Sequence, residues 1–442
     1  MTVQTTSPTT RPGEQDPNVT LTQPELESID LSDKQFWARP PQERYAAFAT
    51  LRREQPFAFF AEPEFPYIER GPGYYAVVRH ADVDAISSQP ALFCSGEGAV
   101  SIADLPEELR EFYGSLISMD DPRHAKIRRI VSKAFTPKML ERIVESVEDL
   151  AREVVSEARA AAEAGDGTFD LVERISAPLP LMIICRMMGI PDEDRALVLE
   201  KSNIILSGGD PELIADENDA LGLFLEAGGA LAGLMQGLAE QRQATPTDDL
   251  TSALVSTEVD GERLTFQEIA SFFILLCVAG NETTRNAITH GVLALHEFPD
   301  QRARWQADPD LSRTAVEEIV RWASPVTWMR RTATQDVELS GRQFRKGDKF
   351  LLFYNSANRD EDAFDRPELF DVGREANPHY GFGAPGPHFC LGAHLARREI
   401  TVAFRTLFEL MPDLEVVGDP DRLRSSFVNG IKRLPVRVTV RS

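Results

Sequence analysis

Cysteine is scarce in this chain: Cys94, Cys185, Cys277 and Cys390 are scattered through 442 residues. No disulfide framework fits that spacing, and a reducing compartment is expected. Neither CxxC nor HExxH occurs, so zinc and redox-dithiol readings lack their ligand spacing. Positive charge is short as well, with 47 basic residues against 70 acidic ones and a formal net charge of −23. Such an excess repels phosphate backbones and anionic lipid surfaces, so no nucleic acid partner is expected. No run approaches the roughly 18 uncharged apolar residues that span a bilayer. The N-terminus lacks a signal-peptide pattern. A cytoplasmic protein without a transmembrane anchor is the expectation.

What is present describes a globular chain, 42% hydrophobic and 26% charged. The first 35 residues, rich in Thr, Pro, Gln and Glu, show almost no apolar periodicity and read as a mobile tail. Residues 36–442 read as one domain. A helix is expected around Arg44 to Arg53 and a strand at Tyr74 to Val78, whereas Phe93 to Tyr113 has no firm period.

Near the C-terminus stands Gly381 to Gly392, GFGAPGPHFCLG, too punctuated by Gly and Pro for a helix or strand. It reads as a stiff loop presenting Cys390. A helical pattern follows, with Leu395, Ile400, Ala403, Leu407 and Leu410 on one face and Pro412 as the stop. That places Cys390 at a helix N-terminus, which favours a thiolate. A soft-metal ligand, a nucleophile and a buried structural thiol all remain open for it.

Three further stretches carry chemistry. In Asp120 to Lys138, His124 and Arg128 form an i,i+4 pair on one helix face. Arg123, Lys126, Arg129 and Lys133 fall mostly on the opposite face as a basic stripe. A solvated helix would explain either set. An inward His/Arg pair would instead need an internal anion.

A long helix is expected from Thr265, with a Thr265-x-x-Glu268 capping box, to Phe298 before Pro299. Its apolar middle runs into Ala-Gly-Asn-Glu-Thr-Thr at 279–284, which puts Glu282 and two hydroxyls inside a core helix. Gly280 removes a side chain where something comes close. Thr283 can also bond the carbonyl four residues back and loosen the helix. Finally, Glu318-x-x-Arg321 share one face of a helix at Thr314 to Trp322. Strand patterns follow at Val337 to Leu339 and Lys349 to Tyr354.

The order FG-x-x-G-x-H-x-C-x-G resembles the haem-binding loop of the cytochromes P450, with one extra residue between Phe382 and Cys390. The 279–284 motif resembles that family's oxygen-binding segment, and the DxxxHxxxR spacing its propionate-binding helix. Glu318-x-x-Arg321, followed by Phe364 to Arg374, resembles its core-locking elements.

The resemblance implies a mainly α (α+β) fold, a triangular helical domain with small β-sheets enclosing haem b. Cys390 would be the axial thiolate ligand. His124, Arg128, Arg331 and His388 would hold the propionates, and Gly280, Phe382, Gly386 and Gly392 would border the cofactor. Thr283 would hydrogen-bond the distal oxygen and its water, and Glu282 would relay protons. Glu318, Arg321 and Arg374 would be structural. Substrate and O2 would meet on the distal side, with electrons from NAD(P)H through ferredoxin reductase and ferredoxin. The basic stripe would guide that acidic donor.

A narrower likeness lies in DDPRH…VSKAFTPK, PLPLMIICRMMGIP, AGNETTRNAITHGVLAL and TAVEEIVRWASPV. These are similar to actinobacterial P450s that hydroxylate terminal carbons of methyl-branched lipids and sterol side chains. The implied pocket is Phe272, Leu276, Ala279, Val326, Trp328, Met329 and Phe427. Between Ile143 and Arg242 the mostly helical pattern breaks at Gly165 to Gly167, Pro191 and Ser207 to Pro211, and the latter breaks would suit a substrate lid or ordinary turns. A haem-thiolate peroxygenase or isomerase, or a haem or lipid carrier, would share the Cys390 loop without needing the Glu282–Thr283 pair.

Overall fold

The computed structural model describes residues 23–440 except 65–67, 136, 207–209, 211 and 215–218. About 54% of the chain is helical, with small sheets. Ordered packing begins inside the segment expected to be a tail. Leu31 is 2% exposed, and its carbonyl accepts from Trp37 Nε1 at 2.9 Å. Ile29 and Leu31 bury against Phe36, Trp37 and Phe353, which outweighs their polar surroundings. The tail expected over residues 1–22 lies outside the described residues.

The five-stranded sheet runs in the order Phe57–Phe60, Tyr74–Val77, Lys349–Phe353, Trp328–Ala333 and Phe93–Cys94. Lys349–Phe353 is buried throughout, as suits a central strand. The pattern at Val337–Leu339 forms a strand as expected, paired in a separate hairpin with Arg342–Phe344.

The helical layer centres on Phe266–Leu276 and Glu282–Glu297. The capping box forms: Glu268 N donates to Thr265 Oγ1 at 3.1 Å, and Thr265 N donates to Glu268 Oε2 at 2.9 Å. The expected single helix is interrupted by a π-helical turn at Cys277–Asn281. The cause is local. Thr283 Oγ1 donates to the Ala279 carbonyl at 2.6 Å, and a Cβ on Gly280 would sit 3.0 Å from Ile184 Cδ1. Gly280 thus lies close against the helix Pro178–Met188, where a side chain would push Ile184 aside.

Helix Ala220–Ala244 is long and apolar enough to cross a membrane by length and composition, with a hydropathy of 1.3, although it holds no uncharged apolar run of the length sought in the sequence. Glu226 interrupts it and pairs with Lys201 at 3.0 Å, and the helix packs against Phe266–Leu276. Of the expected breaks, 165–167 separates helix Pro137–Glu163 from strand Thr168–Asp170. Gly189, in the left-handed region at φ 75°, ends the helix before Pro191. Most of Ser207 to Pro211 lies outside the described residues.

Candidate active site

The Cys390 loop closes on itself through the Cys390 amide, which donates to the Phe382 carbonyl at 3.0 Å. Gly386, at φ 138°, passes so close to Ser87 that a Cβ would lie 2.5 Å from the Ser87 carbonyl oxygen. No other residue fits there. Helix Ala393–Leu410 starts three residues after the cysteine, with Gly392 as its cap. A Cβ on Gly392 would meet nothing nearer than Cys390 Sγ at 4.0 Å, so space is open beside the sulfur.

Cys390 is accessible, yet its thiol is surrounded by protein, as at the wall of an internal hollow. Burial pushes the thiol up, against the Gly392 N–H and the charges of Arg128 and Arg397, which pull it down. The N–H at the helix start thus pulls toward the thiolate, as expected, but burial outweighs it. A bound cation would reverse the balance.

Donors gather on one side of the loop. His124 is 2% exposed; its Nδ1 lies 3.4 Å from Asp121 Oδ1, and its Nε2 has no partner. The His388 ring stands 4.3 Å away, and its Nδ1 is also buried without a partner. Arg331 is buried and donates from Nη1 to the Arg330 carbonyl at 2.8 Å, with no carboxylate partner among the described residues. Arg128 donates from Nη2 to the Phe389 carbonyl at 2.7 Å. Burial, then the charges of Arg331, His124 and Arg128, drives His388 down to about 2. Burial likewise lowers His124.

Such a collection of buried groups, with only the exposed Asp121 as an acid, fits the carboxylates of an anionic cofactor. With the open sulfur, these residues fit a haem: His124, Arg128, Arg331 and His388 for its propionates, Cys390 for its iron. Phe382 is buried, with the Arg397 guanidinium 4.3 Å over its ring.

On the helical side, Thr283 is partly accessible and commits its proton to Ala279 O. Its lone pairs stay free to accept. Glu282 is buried and forms an ion pair with Arg285, while Asn286 Nδ2 donates to its Oε1 at 2.8 Å. Arg285 in turn donates to Asn203 Oδ1 at 3.1 Å. Sequence reading missed Arg285 and Asn286, although both stand at helical spacing from Glu282.

The Glu318 carboxylate is a buried hub. Arg321 donates to it from Nε at 2.8 Å and Nη2 at 2.7 Å, Arg374 Nε at 3.0 Å, and the Asp371 amide at 2.9 Å. Arg321 also spans the carbonyls of Asn358, Pro367 and Leu369. Glu318, Arg321 and Arg374 thus fasten the 358–374 segment to helix Ser312–Ala323.

Among the pocket residues, Leu276, Ala279, Val326, Met329 and Phe427 are partly accessible. Phe272 at 2% and Trp328 at 3% exposed are instead packed within the core. Phe272 points into the helical core, and Trp328 rests edge-on against Phe427 at 5.0 Å, so both back the wall. The basic stripe is not free either. Lys126 pairs with Glu262 and Arg129 with Asp260, while Lys133 donates to the Glu258 carbonyl at 2.9 Å.

Residues 108–412 match the family described as Cytochrome P450. A methyl-branched lipid omega-hydroxylase of Mycobacterium tuberculosis is 52% identical over 412 residues, covering 93% of this chain and 95% of the relative. A steroid C26-monooxygenase of Rhodococcus jostii is 40% identical, over 94% of this chain and 86% of its own. A Mycobacterium marinum cytochrome P450 in complex with pseudoionone superposes with a TM-score of 0.86 at 42% identity, covering 93% of this chain and 98% of that one. A family match over most of the length, with close relatives along nearly all of it, makes this chain a member of the cytochrome P450 family.

Proposed function

We propose that this monooxygenase hydroxylates the terminal carbon of a methyl-branched lipid, or of a sterol side chain, in a pocket beside Thr283. The observation that carries the reading is the uncharged character of the accessible wall: Leu276, Ala279, Val326, Met329 and Phe427. The names of the two relatives support it. A primary C–H bond is stronger than its neighbours, so position must be imposed by the walls. An apolar channel does this by admitting a chain end-on.

Haem b held by Cys390 would supply the oxygen-activating chemistry. The chain's own residues handle water and protons. Thr283 Oγ1, its proton held by Ala279 O, accepts a hydrogen bond from a water. Glu282, the carboxylate next to Thr283 in the chain and paired with Arg285, would pass protons inward. NAD(P)H would deliver electrons through ferredoxin reductase and ferredoxin.

Turnover with NAD(P)H, reductase, ferredoxin and either a methyl-branched fatty acid or cholestenone tests the reading. An ω-alcohol identified by mass spectrometry is expected. Subterminal alcohols, or product formed from H2O2 alone, would overturn it.

A further inference from the structure

Two arginines from distant parts of the sequence and one adjacent to it gather around one tyrosine outside the Cys390 site. Tyr45 lies on helix Pro41–Glu54, and the Arg359 guanidinium carbon stands 3.9 Å over its ring. Arg44, the preceding residue, and Arg422, on the strand Asp421–Arg422, are near enough to act electrostatically on the same phenol. All three also act on the buried His290, whose Nε2 lies 3.0 Å from the Asn429 carbonyl.

Their hydrogen bonding is incomplete. Arg44 and Arg359 are 8% and 7% exposed. Arg359 Nη2 donates to the Trp322 carbonyl at 2.8 Å, but Arg359 Nη1 and Arg44 Nε are buried with no partner. None of the three arginines forms an ion pair among the described residues. Glu297 is the carboxylate near Arg422. Glu318, close to Arg359, is already taken by Arg321 and Arg374, and the neighbouring Arg52 is paired with Glu361 at 2.8 Å. His290, driven to about 3 by burial and then by the Arg422 charge, adds no charge of its own at neutral pH.

Three guanidinium charges thus face one uncommitted carboxylate, on a chain whose net charge is −23. Buried cations without counter-ions are costly, and acidic side chains were not scarce. The deficit of about two negative charges matches a dianion better than a carboxylate. Arginine forks also suit the several oxygens of a tetrahedral group.

We propose that Arg44, Arg359, Arg422 and the Tyr45 hydroxyl form a binding site for a phosphoryl dianion, separate from the Cys390 site. Arg44 and Arg359 form its floor, and the more accessible Tyr45 and Arg422 its mouth. Free phosphate and a small phosphomonoester share the required chemistry.

Isothermal titration calorimetry of the haem-loaded protein tests this, using inorganic phosphate and glycerol 3-phosphate in separate arms at constant ionic strength. One saturable site per chain is expected in at least one arm, and the tighter arm identifies the source. Arg359→Gln should weaken binding at least tenfold. Arg422→Gln, at the accessible mouth, should weaken it severalfold while an unchanged haem absorbance reports an intact fold. Absence of saturable heat in both arms, unchanged affinity in the folded Arg422→Gln protein, or displacement by chloride or acetate as effective as by phosphate would overturn the proposal.

Discussion

The imidazole rings of His124 and His388 lie 4.3 Å apart, and each keeps one buried nitrogen without a hydrogen-bond partner. Two buried ring nitrogens without partners beside the buried Arg331 are unfavourable unless a further group completes them. Haem propionates would complete the set, accepting from Arg331 and Arg128 directly and from the two imidazoles once their free nitrogens take up a proton. Replacing Arg331 with Leu should remove a charge-assisted bond of about 1.5 to 3 kcal/mol. The expected outcome is haem loss to apomyoglobin at least tenfold faster than from the parent protein. His124→Phe should show a smaller change in the same direction. Equal transfer rates for all three proteins would show that these residues do not hold the propionates.

The bond from Thr283 Oγ1 to Ala279 O separates two roles for this residue. Thr283→Ser keeps the hydroxyl and the π-helical turn, so product formed per NAD(P)H consumed should stay near the parent value. Thr283→Ala loses both the turn's anchor and the acceptor for water. Most electrons should then appear as H2O2 or water instead of product. Tight coupling in the alanine variant would remove Thr283 from proton delivery.

The Glu318 carboxylate is fully buried, with no solvent to replace its partners. Changing it to Gln leaves the buried Arg321 guanidinium without a counter-ion, a loss of about 3 to 5 kcal/mol. Arg374→Ala keeps the Glu318–Arg321 pair at 2.7 Å and should cost less. Urea midpoints followed by haem absorbance would rank the two. The reverse ranking would mean that Arg374, and not Glu318, organises the segment.

Periodicity and capping carried the sequence reading a long way. The Thr265–Glu268 box, the strand Val337–Leu339 and the Glu318–Arg321 pair are local patterns, and each forms where local chemistry puts it. The π-helical turn was half legible, since Thr283 back-bonding was foreseen but the contact of Gly280 with Ile184 was not. Contacts between residues far apart in sequence were illegible. Arg129 meets Asp260 across 131 positions, and Arg359 covers Tyr45 from the other end of the chain. No period marks such pairs. Phe272 and Trp328 lie deeper than the other expected wall residues for a related reason, because helical or strand phase does not say which neighbour covers a side chain.

Glu399 carries a pH dependence unrelated to catalysis. It is buried in helix Ala393–Leu410, and burial alone raises its carboxyl well above the ordinary 4.5. An acid with a raised folded value binds its proton more tightly in the fold than in the unfolded chain. Its contribution is fully present below the unfolded value and is lost as pH rises above it, at up to about 1.4 kcal/mol per pH unit. Glu399→Gln should therefore be more stable than the parent at pH 7 and indistinguishable from it at about pH 4. Denaturation midpoints across that range check this, and parallel curves for the two proteins would show that Glu399 is ionised in the fold.

The basic stripe of Lys126, Arg129 and Lys133 was expected to steer an acidic ferredoxin, yet Glu262, Asp260 and the Glu258 carbonyl already engage it. Those pairs are exposed, so each is weak, on the order of 0 to 1 kcal/mol, and a partner could displace them. Their main effect is on the field an approaching donor meets, because each carboxylate cancels a nearby cation. Asp260→Asn combined with Glu262→Gln leaves the stripe in place but unneutralised. If an acidic ferredoxin docks there, its rate of reducing the haem should rise severalfold at low salt. The gain should fade as added salt shortens the Debye length to about 3 Å at 1 M. Stopped-flow reduction across a salt series reads both effects, and a rate unchanged at every ionic strength would place the docking surface elsewhere on the protein.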